Sequence, residues 1–180
     1  MIKVDLKATS LEDFYAQIRS EHEKAHGKSY VAVHDAIQKL VPNERYIELG
    51  INQGATLAGA CLHNPKSVHA YDLNLSNFKP YKHHFEGLAF DFKAIEASST
   101  DESIVHECDV LYIDTIHVWT YLSKELNLWS PYVTKYIACH DTHAKQDMRK
   151  GIDNWLTKNT DWELIEHNTQ SVGYSVIGRK

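Results

Sequence analysis

Four acids and three histidines stand where short apolar runs end. Glu48 lies at the end of RYIEL, Asp72 closes SVHAYD, Asp114 closes DVLYID, and His140-Asp141 follows KYIAC. His117 comes three residues after Asp114 and His143 two after Asp141. Carboxylates gathered at one rim repel one another and lose hydration, so they serve a cation or the hydroxyls of a ligand. An imidazole with a pKa of about 6.5 can take a proton from a hydroxyl at neutral pH. That makes His117 the first candidate base and His143 the reserve. Each residue also has a plainer reading: Asp141 as a helix cap, Asp114 as a turn acid, and either histidine as a hydrogen-bonded structural residue.

The bend that follows Glu48 reads Gly50-Ile51-Asn52-Gln53-Gly54, and small residues then recur at helical spacing. Gly50 and Gly54 have no Cβ, so the backbone can turn with positive φ and a ligand can come close. The free N–H groups at a helix start cradle an anion. Asp72 stands 22 residues after Gly50, where a carboxylate accepts from both hydroxyls of a ribose. A nucleoside cofactor fits. NAD fits less well, because GxGxxG is missing and a buried Glu48 would repel a pyrophosphate but attract a sulfonium or amino group.

These residues need a scaffold that brings strand ends together. Apolar strands are predicted over 45–49, 67–72, 92–96, 109–113 and 135–139. Helices are predicted over 53–63, 77–87, 100–107, 119–129 and 146–158. Such alternation implies a parallel sheet covered on both faces, with ligands beyond the carboxyl ends of the strands. WELIEH and SVGYSVIG, joined by Asn168-Thr169-Gln170, predict a closing hairpin that puts one antiparallel strand within or beside the sheet. Residues 1–44 predict two helices, with Leu11, Phe14, Tyr15 and Ile18 on one face and Val33, Ile37 and Leu40 on another. The second helix stops at Pro42. EHEKAHGKSY between them reads as a polar loop or as a lid over the site. Trp129 shares the apolar face of helix 119–129, whereas Trp119 and Tyr121 are placed toward the cleft.

The 180 residues form one expected domain, and a hydrophobic fraction of 43% with 24% charged residues is that of a globular protein. A net charge of -5 gives no pull toward nucleic acid or an anionic membrane. MIKVDLKATS lacks the apolar core of a signal peptide, and no run is long enough to span a membrane. Cys61, Cys108 and Cys139 read as buried free thiols, which suits a reducing cytoplasm.

ELGINQGAT resembles the ExGxxxGxT first motif of class I S-adenosylmethionine-dependent methyltransferases, and YDLN their second acidic motif. DVLYIDTIHVWTYLSKELNLWSPYV followed by YIACHDTH is similar to the cephalosporin-hydroxylase-like and macrolide-sugar O-methyltransferase branch. The similarity spans residues 45–145. It implies an α/β, Rossmann-like, doubly wound sheet of seven strands, mostly parallel with a C-terminal antiparallel hairpin strand. It also implies that Glu48, Gly50, Asn52, Gly54 and Thr56 surround the methionine end of S-adenosyl-L-methionine, that Asp72 takes the ribose, and that Ser98 or Ser99 lies near adenine, with Asp114 also at the cofactor. In the metal-dependent branch acids at Asp114 and Asp141 hold a divalent ion; relatives often carry an acid at His140 too, and the histidine leaves Mg2+ or another divalent cation open. Two departures stand out. Ala97 occupies a place where many relatives have an acid, and Thr134-Lys135-Tyr136 replaces their Gly-Gly.

The resemblance implies methyl transfer to a hydroxyl of a small molecule, with Asp114 and His117 at the reacting end and a pocket open or completed by a second subunit. An N-methyltransferase, a non-catalytic cofactor-binding or regulatory protein of the same fold, and a nicotinamide-dependent oxidoreductase stay as alternatives.

Overall fold

A computed structural model describes residues 7–180. The first six residues of the expected helical segment, and with them most of the stretch compared with a signal peptide, lie outside the described residues. Helix α1 (Leu11–His26) starts where the Ser10 side chain accepts the Asp13 amide at 3.2 Å, and it buries Leu11, Phe14 and Ile18. It runs through most of EHEKAHGKSY, so that segment is largely helix instead of loop. Residues 21–26 have no apolar stripe. Surface pairs hold the turn instead, Arg19 with Glu23 at 3.3 Å and Lys24 with Glu21 at 2.5 Å. Gly27 (φ +88°) and a 3-10 turn over Lys28–Val31 then lead into α2 (Ala32–Leu40).

The sheet comprises β1 (Arg45–Leu49), β2 (Ser67–Asp72), β3 (Asp91–Glu96), β4 (Cys108–Ile113), β5 (Val133–His140), β6 (Trp162–Asn168) and β7 (Tyr174–Arg179). Its order is β3-β2-β1-β4-β5-β7-β6. The first five strands are parallel; β7 inserts antiparallel between β5 and β6. Helices α1, α2 and α3 (Ala55–Cys61) pack on one face through Phe14, Ile18, Ile37 and Leu57. Helices α4 (Trp119–Trp129) and α5 (Gln146–Lys158) cover the other through Leu126, Trp129, Met148 and Ile152. This seven-stranded, mixed Rossmann-like fold puts the ends of β1 and β4 side by side at the switch point, where Leu49 pairs with Ile113. Among the described residues no helix is long and apolar enough to cross a membrane.

Two predicted helices are not α-helices. The crossover near 77–87 is a 3-10 segment, Lys79–Phe85, in which Pro80 removes a backbone donor and Phe85 is pinned in the core against Phe78. The one near 100–107 shrinks to a single 3-10 turn, Glu102–Ile104, started by the Asp101 side chain on the Ser103 amide at 2.9 Å. Ile104 and Val105 are adjacent there and build no i, i+4 stripe.

Thr134-Lys135-Tyr136 belongs to β5 itself, at an irregularity in its pairing with β4. Thr134 explains the shape. Its hydroxyl donates to Asp109 Oδ1 at 2.6 Å, and Asp109 also receives the Arg45 amide at 2.9 Å and two guanidinium bonds at 3.0 and 2.8 Å. The Arg45 bonds outweigh the opposing effect of burial and hold the Asp109 carboxyl well below the usual range. A depressed folded-state pKa contributes stability that is complete above the unfolded value, about 4, and is lost as pH falls below it. Asp109→Asn is therefore expected to cost about 1–3 kcal/mol at neutral pH by urea denaturation. The gap from the parent protein should narrow as the pH is lowered below about 4.

Candidate functional site

The bend after β1 is held by its neighbours on both sides. The Gly50 amide donates to Tyr71 O and the Asp114 amide to Leu49 O, both at 2.8 Å. Gly50 has φ +91°, and a Cβ there would lie 2.1 Å from the Asp114 carbonyl oxygen. Only glycine satisfies both conditions. Asn52 (φ +48°) and Gly54 (φ +82°) continue the alternation into α3. Asp72 closes the bend from β2: one carboxylate oxygen accepts the amides of Ile51 at 2.7 Å and Asn52 at 3.0 Å, and the other accepts that of Asn74 at 3.0 Å.

Two cavities flank Gly50 and Asp114. The larger, about 210 Å³, lies between Asp72, Leu73, Ala97, Ser99, Ile116 and Tyr121. Ser99 Oγ donates to Tyr121 Oη at 3.3 Å, and its carbonyl accepts from Trp129 Nε1 at 2.8 Å. Ser98 is not among the lining residues, and its hydroxyl stands 3.0 Å from that of Thr100. Ala97 adds apolar wall. Tyr121 faces this cavity as expected. Trp119 does not: it packs on α5, where it occupies the space a Cβ on Gly151 would need.

The smaller cavity, about 50 Å³, lies on the other side of Gly50 and is lined by Glu48, Asn52, Thr56, Asp114 and His140. Further wall comes from the N-terminal segment, through His22, Tyr30 and His34. Glu48 is 1% exposed. Its Oε2 accepts from Tyr46 Oη at 2.7 Å, and burial pushes its carboxyl well above the usual range despite that bond. His34 is 3% exposed with no partner on Nδ1, and burial with nearby His22 pushes it down to about 3. Sequence reasoning passed over His34, whereas His22 and Tyr30 lie in EHEKAHGKSY, the stretch read as a loop or a lid. The available signal was an imidazole at position 34, beside Val33 and three residues before Ile37 on the apolar face of α2.

Asp114, His117, His140 and Asp141 form a closed ring. His117 Nε2 meets Asp114 Oδ1 at 2.9 Å and Nδ1 meets Asp141 Oδ2 at 2.8 Å. His140 Nδ1 meets Asp114 Oδ1 at 3.1 Å and Asp141 Oδ1 at 3.3 Å. Asp141 enters the ring with φ +58°, a left-handed conformation that aspartate tolerates better than most residues. Carboxylate oxygens only accept, so both nitrogens of His117 donate and the ring is an imidazolium. Its bonds to Asp114 and Asp141 raise it to about 10. Burial opposes charge on Asp114 and on His140. The imidazoles nevertheless hold Asp114 well below the usual carboxylate range, and Asp114 raises His140. His117 in this state is a proton donor, and Asp114 is the ionised acceptor facing both cavities. His143 is elsewhere. It is exposed, packs on Gly173 in the β6–β7 turn, and stands 6.2 Å from the His167 ring.

The residues fit S-adenosylmethionine in kind: a bend cleared of side chain at Gly50, a carboxylate at Asp72, and an apolar-walled cavity between them. They do not fit Mg2+, which is held by oxygen donors in near-ideal octahedral geometry, because two imidazoles occupy half of the ring.

No family model matches the chain, and no curated protein does. Solved structures do. A Staphylococcus aureus protein provisionally assigned as a caffeoyl-CoA O-methyltransferase superposes with a TM-score of 0.65 at 14% identity, over 93% of this chain and 99% of that one. SMU.1697c from Streptococcus mutans, solved in complex with SAH, gives 0.63 at 11%, over 83% and 96%. The N-methyltransferase NodS from Bradyrhizobium japonicum gives 0.62 at 9%, over 84% and 96%. At such identities the likeness establishes the fold.

Gly50→Ala is expected to lose about 2–4 kcal/mol in urea denaturation, because the new Cβ meets backbone in a left-handed conformation. Gly27→Ala is the control. It has φ +88° and ψ 160° but nothing within 4 Å of a Cβ, so it should lose only the backbone cost of about 1–3 kcal/mol, without the added clash.

Proposed function

We propose that this chain is an S-adenosylmethionine-dependent methyltransferase acting on a hydroxyl of a small molecule. The observation that carries the reading is the Gly50 bend, locked to Asp72 and opening beside Asp114 on a sheet of methyltransferase order. When bound, the cofactor supplies an electrophilic methyl group on a cationic sulfur. Gly50, Asn52, Gly54 and Thr56 would surround its methionine end, and Asp72 its ribose. An ionised carboxylate offers about four lone-pair directions, and three backbone amides leave one for a ribose hydroxyl. Ser99 and the apolar walls from Leu73 and Ile116 would shield the base from water, with Ser98 one residue removed.

Asp114 accepts a hydrogen bond from the acceptor hydroxyl and aims its oxygen lone pair, which is an effect of alignment. His117 and His140 keep that carboxylate ionised and fixed. His117 would serve as base only after losing one of its two N–H protons to solvent, and with it one of its two carboxylate bonds. The S. aureus neighbour named for O-methylation supports the choice of oxygen, and the NodS likeness keeps nitrogen as the outcome to test against it.

Isothermal calorimetry with S-adenosylmethionine, its demethylated product and NAD tests the reading. Binding of the first two is expected, weakened about 10–100-fold in Asp72→Ala. Binding of NAD alone would end it. With an acceptor in hand, Asp114→Asn should lower kcat by about 100-fold or more in a methyl-transfer assay.

A further inference from the structure

We infer that His69 and His106 form a site for a divalent ion of the Cu2+ or Ni2+ class. His69 lies within β2 and His106 two residues before β4, away from the rim that carries Asp72 and Asp114. Neither histidine lines the cavities beside Gly50, and the inference does not require the methyltransferase reading.

The first support is a count of protons. His69 Nε2 meets Asp91 Oδ2 at 2.8 Å, and His106 Nδ1 meets the Ile104 carbonyl at 2.8 Å. Carboxylate and carbonyl oxygens only accept, so both of these outer nitrogens donate. A neutral imidazole has a single N–H, and each ring turns its own outward. The inner nitrogens, His69 Nδ1 and His106 Nε2, then face each other as bare lone pairs at 2.9 Å. Two lone pairs repel at that distance, and a positive centre bonded to both turns repulsion into attraction. A proton can take that place, and so can a metal ion.

The outer contacts are the second support. A metal-bound histidine donates its other nitrogen to a carboxylate or a backbone carbonyl, which fixes the tautomer and turns the ring. This pair has one contact of each kind. Asp91 is itself held by Lys93 Nζ at 2.9 Å; that ammonium also stands 3.4 Å from His69 Nε2.

Spacing gives the class of ion. Nitrogens about 2.0–2.1 Å from one ion stand about 2.9 Å apart at a right angle and about 3.3 Å apart in a tetrahedron. The 2.9 Å here suits the tetragonal geometry of Cu2+ and Ni2+, and imidazole is a good ligand for both. Tyr71 and Trp129 close the inner side, each ring 6.4 Å from that of His106. The outer side is open, with Asp91 55% exposed, so water can complete the shell. On binding, both inner lone pairs bond to the ion, the outer N–H protons stay, and any bridging proton leaves to solvent. The ion would tie β2 to the connection over 97–107, which begins at the Ser98-Ser99 wall of the larger cavity.

The test uses the full chain without a histidine tag, stripped with a chelator. Cu2+ alone is added near neutral pH and followed by electron paramagnetic resonance and by the broadening of backbone amide signals in heteronuclear NMR. One equivalent should show nitrogen hyperfine splitting and should broaden first the amides of His69, Lys93 and His106. His69→Ala and His106→Ala should each weaken Cu2+ by about 10–100-fold or more, and Asp91→Asn by about tenfold. His83→Ala is the control. It breaks the other close histidine pair, His83 and His84, with rings 3.9 Å apart, and should leave Cu2+ affinity unchanged. Three results would overturn the inference. One is no Cu2+ bound, which leaves a proton as the sole occupant. Another is broadening that starts at His83-His84 or at His140, and the third is affinity unchanged in both His69→Ala and His106→Ala. The NMR result on the parent chain does not depend on any variant folding.

Discussion

The contact on which the site depends is between a carbonyl and a missing side chain. The Asp114 carbonyl oxygen fills the space where Gly50 would carry a Cβ. That closeness exists because β1 and β4 pair at the switch point and both strands end at the same level. It joins the two cavities, since Gly50 and Asp114 line each of them. The bend cannot shift without moving the backbone of the residue that carries the ionised acid. A ligand pressing on the bend therefore acts directly on the end of β4.

Two acids at this rim have opposite electrostatic fates, and their neighbours decide which. Glu48 is enclosed with a tyrosine hydroxyl as its hydrogen-bond donor, so burial drives it toward the neutral form. Asp114 is met by two imidazoles and stays ionised, with 28% of its side chain exposed. Burying paired charge is tolerable where burying single charge is not. The ring of two imidazoles and two carboxylates is such a pairing, and it gives the rim one fixed anionic acceptor instead of a diffuse patch of acid. The neutral tendency of Glu48 lowers the repulsion that four carboxylates at one edge would otherwise produce.

The N-terminal helices are part of this site. A polar stretch held by surface ion pairs carries His22 to one wall of the small cavity, and the 3-10 turn after Gly27 brings Tyr30 to within 6.0 Å of the His140 ring. Residues with no hydrophobic periodicity thus shape the chamber beside the acid. Their contribution is steric and polar together: aromatic edges for packing, ring nitrogens for hydrogen bonding.

From the sequence alone, the alternation of apolar strands and helices, the glycine bend and the acids at strand ends were all legible. Each follows from local rules: period, turn chemistry, and the cost of burying charge. Helices α4 and α5 matched residue for residue because their apolar stripes are continuous. Tertiary structure alone decided that Asp72 holds the bend as well as facing the cavity, and that Trp119 goes to α5. It also decided that His117 is clasped on both nitrogens while His143 turns to the hairpin. Those outcomes depend on which strand ends lie side by side and how far apart they are. Spacing along a chain does not encode the distance between residues 72 and 51, or between 117 and 141, until the sheet has brought them together.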